Sequence, residues 1–248
     1  MSKINLSYCT TCCNRLWQLA LTLQDNLENL NKNEELILVN YGSTDNLTRY
    51  IESSYWCRKL MDENRFKYID VLDVNKYHCP KAKNIAHRFG SGEFLINLDA
   101  DNSNHLINKR ILNTDNRNEV LIHLWTTKIY STYGKICMHK DIFYKLGGYD
   151  ESFLPMGYQD GDIIERAKAM NIKVVESPIL IGVVKNTLEE KINQTGFKNW
   201  NECFEANKAI SDFNISNNKL IANKDTGWGY AKVKINFGKT QEFKEIFP

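Results

Sequence analysis

Two aspartates flank one small residue, Asp99 and Asp101 around Ala100, at the end of the apolar run in "EFLINLDADN". A strand ending there brings two carboxylates near one point, where the chain turns into a loop. Hard divalent cations prefer such oxygens, and Mg²⁺ or Mn²⁺ held by one or two carboxylates keeps its remaining positions for water and substrate phosphate. A cation so placed stabilises a departing phosphate as a Lewis acid. Solvated turns also carry paired aspartates, so the position after a buried strand is what singles out this pair. Cys9, Cys12 and Cys13 form the other reactive cluster. A structural zinc site needs four convergent ligands, and no second pair at matching spacing follows, which favours buried or loop thiols over zinc.

The elements that position these groups alternate. Ile4 to Tyr8 reads as a short strand, Leu16 to Leu30 as a helix, and the apolar run Leu36 to Val39 as a buried parallel strand closed by Gly42, Ser43 and Asp45. Leu47 to Asp62 follows as a helix that Thr44 or Asp45 caps, then Phe66 to Val74 as a third strand. Pro80 opens a helix through Arg88, ended by Gly90, before the strand that carries Asp99 and Asp101. In open α/β sheets ligands sit outside the carboxyl ends of the strands, so the polar residues after Tyr8, after Val39 and at Asp99 to Asp101 are expected to converge in one crevice. Val120 to Ser131 is strand-rich, Asp141 to Leu146 and Asp162 to Met170 read as helices, and "IKVVE" as a strand. Beyond Trp200 the pattern weakens, leaving "KLIAN" and "YAKVKINF" as a hairpin around "KDTGWG".

A chain of 248 residues, 42% hydrophobic and 25% charged, buries an ordinary core and reads as one α/β domain with a C-terminal extension. Its net charge of +2 comes from interleaved signs, which leaves no footprint for nucleic acid. No run approaches the roughly 18 apolar residues of a membrane span, and no signal-peptide core precedes the first strand, so a cytoplasmic location without a transmembrane segment is expected. Seven cysteines at irregular spacing do not resemble a secreted disulfide framework.

The ordered motifs "NR" at Asn14 and Arg15, "LVNYGSTDN" at 38–46, "AKN" at 82–84, "GEFLINLDADN" at 92–102 and "LGGYDESF" at 146–153 resemble glycosyltransferase family 2. The stretch "GGYDESFLPMGYQDGDIIERA" is similar to the acceptor segment of β-1,4-galactosyltransferases and chondroitin polymerases. The likeness spans about residues 4 to 170. It implies a GT-A fold, a Rossmann-like mixed α/β sheet flanked by helices. On that pattern residues 1–190 are the catalytic domain, with a nucleotide-binding half at 1–104 and an acceptor half at 105–190, and residues 191–248 are a small hairpin and helix extension packed on it. The activity implied is inverting transfer from a UDP-sugar, with Mn²⁺ or Mg²⁺, to a glycan, lipid-linked or protein acceptor.

Carried over residue by residue, the resemblance makes Asp99 and Asp101 the metal and ribose-diphosphate site, with Thr10, Thr11, Arg15 and Asn40 near the nucleotide. Lys83 takes the place of the family's arginine beside the donor, or is a solvated helix lysine. Asp160 matches the general base, which must reach the acceptor hydroxyl from the face opposite the leaving diphosphate. Asp162 contacts the acceptor or caps the helix near Ile163. Gly148 lies beneath the donor sugar, Tyr158 on the acceptor side, and Trp228, flanked by glycines, offers a sugar platform or packs a hairpin. Trp125 and Trp200 read as core.

Departures from the pattern limit what is implied. Asn40 and Tyr41 stand where relatives have paired aspartates, Met156, Tyr158 and Gln159 replace Trp, Gly and Glu of the acceptor motif, and no histidine follows His139 to serve as a further metal ligand. Two other classes remain: a non-catalytic sugar- or nucleotide-binding protein on the same fold, and a sugar nucleotidyltransferase, against which the glycine-free "SYCTTCCNR" argues because those enzymes open with a glycine-rich phosphate loop. The sugar and the oligomeric state are not implied.

Overall fold

The computed structural model describes residues 5–126 and 132–243. In chain order it contains β1 (Leu6–Cys12), α1 (Leu16–Glu28), β2 (Glu34–Tyr41), α2 (Leu47–Ser53), α3 (Tyr55–Asp62), β3 (Phe66–Val71), α4 (Cys79–Phe89), β4 (Phe94–Asn97) and α5 (Ile107–Leu112). There follow β5 (Val120–His123), β6 (Ile136–His139), α6 (Lys140–Lys145), α7 (Gln159–Ala169), β7 (Lys173–Glu176), α8 (Leu188–Ile192), α9 (Trp200–Ser216), β8 (Ala231–Ile235) and β9 (Thr240–Phe243). Part of the strand-rich stretch expected up to Ser131 lies outside the described residues.

All nine of these strands join one mixed sheet, ordered β7-β5-β6-β4-β1-β2-β3-β8-β9. β4, β1, β2 and β3 run parallel, and β6 pairs antiparallel with β4. Strands buried on both faces carry near-continuous apolar runs, and β2 is buried along its whole length. One apolar cluster lies on each face: Leu19, Leu23, Leu38 and Ile96 with α1 to α3 and α5 on one, and Ile37, Ile85, Phe143 and Ile163 with α4, α6 and α7 on the other. The sheet thus serves as a wall between two cores, and the parallel strands end together at one rim.

Several boundaries differ from the sequence reading. β1 continues to Cys12 because Thr10 and Thr11 stay in register with Leu38 and Val39 of β2. The helix expected over Leu47 to Asp62 breaks at Ser54, whose extended backbone lets its hydroxyl accept from Cys57 N and cap α3. Asp45 caps in trans: its Oδ2 accepts from Leu16 N at the start of α1, 2.7 Å away, rather than from its own following helix. "KLIAN" is not a strand, since Ala222 N donates to Leu146 O and Asn223 Nδ2 to Gly147 O. The C-terminal hairpin is β8 with β9, and β8 pairs antiparallel with β3, so the tail widens the central sheet.

Candidate active site

Three loops build the site, two of them after the parallel strands β1 and β4 and one between α6 and α7, and each is fixed locally. After β1, Asn14 takes a left-handed backbone (φ 52°) and its Oδ1 accepts from Thr44 N, 2.6 Å away, which joins the "NR" and "GSTDN" motifs. After β4, Asn97 Nδ2 donates both to Asp99 Oδ1 at 3.0 Å and to Gly134 O at 2.9 Å. Ahead of α7, Asn84 of the "AKN" motif accepts from Tyr149 N and donates to Tyr149 O, so α4 holds the "GGYDE" turn. The motifs are therefore linked by their own asparagines. A short polar side chain that both donates and accepts suits such cross-links.

These loops enclose a cleft of about 590 Å³ lined by Thr11, Arg15, Lys83, Asp99, Asp101, Tyr158 and Asp160, among others. The three carboxylates expected to act together therefore share one cavity. Lys83 is buried, and its ammonium lies 2.6 Å from Asp160 Oδ1. Burial pushes Lys83 down, but the acidic groups around it, Asp160 first and Asp99 among them, together outweigh burial and hold the amine well above its usual range. Lys83 is thus a buried cation between carboxylates. The Asp160 carboxylate is further held by Gln159 Nε2 at 3.0 Å, and a Cβ on Gly134 would come within 3.0 Å of its Oδ2.

Asp101 is buried and receives amides on both oxygens, from Asn102 and from Asn186, the latter at 2.6 Å. Burial, then the charge of Asp99, pushes it up to about 6. Burial also acts against Asp99, but Lys83 and Lys135 outweigh it and hold that carboxyl below its usual value. Lys135 is buried beside Asn102 and is itself pushed down to about 7 by burial. The chemistry of this donor set fits a hard divalent cation: Asp99 and Asp101 offer oxygens, and burial pushes the thiols of Cys13 and Cys79 in the same cleft up to about 11, leaving no thiolate to favour a softer metal. Among the described residues no group of three or more His, Cys, Asp or Glu stands together as a self-sufficient metal site, so further oxygens would come from phosphate and water.

Five candidates lie elsewhere. Asn40 is buried and fully committed, donating to Tyr68 Oη and Asp70 Oδ1 at 2.9 Å each and accepting from Ser43 N, so its amide is not offered to a nucleobase. Asp162 neither lines the cleft nor caps α7: it is buried, paired with Arg166 at 2.8 Å, and accepts from Ser211 Oγ. Arg166 in turn donates to Leu146 O and Gly148 O, which ties the glycine turn to α7. Gly148 and Trp228 pack on each other in the core: a Cβ on Gly148 (φ +69°) would come within 2.7 Å of the indole. The Trp228 ring also meets Phe143 of α6 at 5.7 Å, so packing in the core against α6, not sugar binding, accounts for it. Thr10 is buried, its hydroxyl unpartnered among the described residues, whereas Thr11 lines the cleft and bonds Tyr77 Oη at 2.8 Å.

Two elements of the wall were not read from the sequence. The segment 182–194 straps across the strand ends: Val184 N donates to Asp101 O, Arg15 Nη2 to Glu190 O, and Tyr77 N to Gln194 O. Lys191 of this strap lines the cleft. The second element is α9, whose Trp200 and Phe204 also line it, where core packing was expected for Trp200.

No family model matches the sequence, and no curated protein matches it. Solved structures do. Residues 1–349 of S. aureus TarS in complex with UDP superpose with a TM-score of 0.59 at 14% identity, over 77% of this chain and 63% of that one. The mannosyltransferase PcManGT from Pyrobaculum calidifontis, in complex with GDP-Man and Mn²⁺, gives 0.58 at 12% identity, over 72% and 56%. TarS 1–349 with UDP-GlcNAc gives 0.54 at 14%, over 77% and 64%. The chain thus spans about three fifths of the length of these structures, and the likeness establishes a GT-A glycosyltransferase fold.

Proposed function

We propose that this chain transfers a sugar from a UDP-sugar to an acceptor hydroxyl with inversion, using Asp160 as general base. The observation that carries the reading is the sharing of one cleft by Asp99, Asp101 and Asp160, with Lys83 between the carboxylates. TarS with UDP and PcManGT with GDP-Man and Mn²⁺, on the same fold, support a nucleotide-sugar donor. The likeness of residues 147–167 to the acceptor segment of β-1,4-galactosyltransferases and chondroitin polymerases supports Asp160 in its role.

In this mechanism Asp99 and Asp101 would hold Mn²⁺ or Mg²⁺, which supplies Lewis-acid stabilisation of the leaving diphosphate when bound. Arg15, Lys83 and Lys191 line the same cleft and place cationic groups where that charge develops. Asp160 takes the proton of the acceptor hydroxyl as its oxygen bonds to the anomeric carbon. The bond from that carbon to the phosphate oxygen breaks on the opposite face, and the nucleoside diphosphate departs with the electron pair. Catalysis would rest on position as much as on charge, because holding both reactants in line removes much of the entropic barrier. No helix among the described residues is long and apolar enough to cross a membrane. A cytoplasmic enzyme acting on a glycan, lipid-linked or protein acceptor is the setting we propose.

The test is release of nucleoside diphosphate from a panel of UDP-, GDP- and CMP-sugars. Turnover with a UDP-sugar that falls at least a hundredfold in Asp160→Asn supports the assignment, whereas full turnover in that variant refutes the base.

A further inference from the structure

Helix α9 has few apolar anchors, and its buried residues are Cys203, Asn207 and Ser211. Two of these are polar, and both are spent on the segment around Asp160. Asn207 Nδ2 donates to Gly157 O at 2.7 Å and its Oδ1 accepts from Leu154 N, while Ser211 Oγ donates to Asp162. Gly157 allows the approach: with φ +96°, a Cβ there would meet Phe204 Cα at 3.0 Å. α9 is therefore stitched to the residues flanking the proposed base rather than laid on a general hydrophobic face.

That stitching brings three rings together beside Asp160. Trp200 and Phe204 stack with centroids 5.0 Å apart, and Phe204 meets the Tyr158 ring edge-on at 5.3 Å. All three line the cleft and are half-buried. Tyr158 holds its ring there from a left-handed backbone (φ 63°), a conformation that is an outlier for a bulky side chain. Strain of this kind persists where surrounding structure enforces it and clusters at ligand sites. Gln159 lines the cleft beside them, is buried, and its Oε1 has no hydrogen-bond partner among the described residues.

We propose that Trp200, Phe204 and Tyr158 form a saccharide subsite that takes the apolar face of the acceptor's pyranose ring, with Gln159 Oε1 accepting from one of its hydroxyls. This rests on the transferase reading of the same cleft. A pyranose has a C–H face and a hydroxyl rim, and the wall offers the matching pair: aromatic surface, then an orphan acceptor and a carboxylate at residues 159 and 160. Pockets of this kind fix orientation with a few polar groups on a mostly apolar lining. The acceptor is accordingly a glycan or glycoconjugate presenting a sugar ring, not a bare side-chain hydroxyl.

The experiment uses the full chain and saturation-transfer NMR with methyl glycosides of glucose, galactose, mannose and N-acetylglucosamine, plus lactose and chitobiose, each with and without UDP and Mn²⁺. At least one saccharide is expected to bind, about tenfold more weakly in Trp200→Ala and Phe204→Ala and near wild-type strength in Trp200→Phe. The UDP-induced thermal shift should be the same in all of them, which also reports that they fold. Binding of no saccharide in either condition, or binding at wild-type strength in both alanine variants, overturns the subsite. Loss of the UDP shift in Trp200→Ala overturns it too, by giving the rings to the nucleobase. A wild-type protein that binds saccharide but shows no UDP shift keeps the subsite and refutes the donor reading alone.

Discussion

Lys83 Nζ and Asp160 Oδ1 lie 2.6 Å apart across the cleft, one from the buried face of α4 and the other from the first turn of α7. The pair joins the two halves of the site and sets two roles against each other. Lys83 can neutralise Asp160 or a phosphate, and an ammonium is compact enough to switch between them. Asp160→Asn is expected to lower turnover by about 10² to 10⁴ while keeping the UDP shift. Lys83→Met removes a buried partner, costs about 3 kcal/mol of stability, and weakens UDP binding as well. Calorimetric titration of UDP into both variants separates the roles.

Asp162 and Arg166 form the other buried pair in this region, at 2.8 Å, and reach no cleft atom. Asp162→Ala leaves the guanidinium paired only with carbonyls. Breaking a buried pair costs about 3 to 5 kcal/mol. In a chain of this size that lowers the melting temperature by roughly 6 to 20 °C. Nucleotide affinity measured well below the transition should be unchanged, and a specific loss of acceptor turnover would return Asp162 to the acceptor site.

Trp228 and Trp200 exchange the roles that their sequence settings suggest. Trp228→Ala is expected to cost about 3 to 5 kcal/mol, as large truncations in cores do. Turnover of the folded fraction should be retained, and denaturant unfolding beside steady-state kinetics tests this.

Acid stability follows from buried histidines. Burial pushes His87 from its ordinary 6.5 down to about 3, and its Nδ1 bonds Lys83 O. Burial, with Lys81 beside it, pushes His78 down to about 4. Below the unfolded value the denatured chain takes up protons that the folded chain refuses, so stability is full above about pH 6.5 and falls as pH drops toward the folded values. Between pH 6 and 5 the two histidines give a combined slope approaching about 2.7 kcal/mol per unit. His87→Gln should remove roughly half of it, measured as urea midpoint against pH.

Much of the parallel half was legible because strands buried on both faces leave unbroken apolar runs, as in Leu36 to Val39. β1 was read too short, since Thr10 and Thr11 look like a loop until β2 is known to pair with them. α9 escaped because its buried face is Cys203, Asn207 and Ser211, which leaves no apolar periodicity to find. Asn207 and Ser211 show their purpose only beside Gly157 and Asp162. Asp99 and Asp101 were picked out by their spacing at a strand end and Asp160 by the resemblance of its segment, whereas Lys191, Asn186 and Trp200 arrive through the 182–194 strap and α9, whose placement no local pattern encodes. Trp228, open in the sequence between a sugar platform and a packing role, proves a packing residue because Gly148 makes room for its ring in the core.

Thermal stability with UDP, GDP and CMP, each with and without Mn²⁺, tests the shared cleft most directly, because a ligand that binds only the folded state raises its melting temperature. At about a hundredfold its dissociation constant, UDP should add about 2.7 kcal/mol, or roughly 5 to 10 °C. The shift is expected with UDP, to depend on Mn²⁺, and to vanish in Asp101→Ala. No shift with any nucleotide would contradict a donor site in this cleft and leave a carbohydrate-binding protein on a transferase fold.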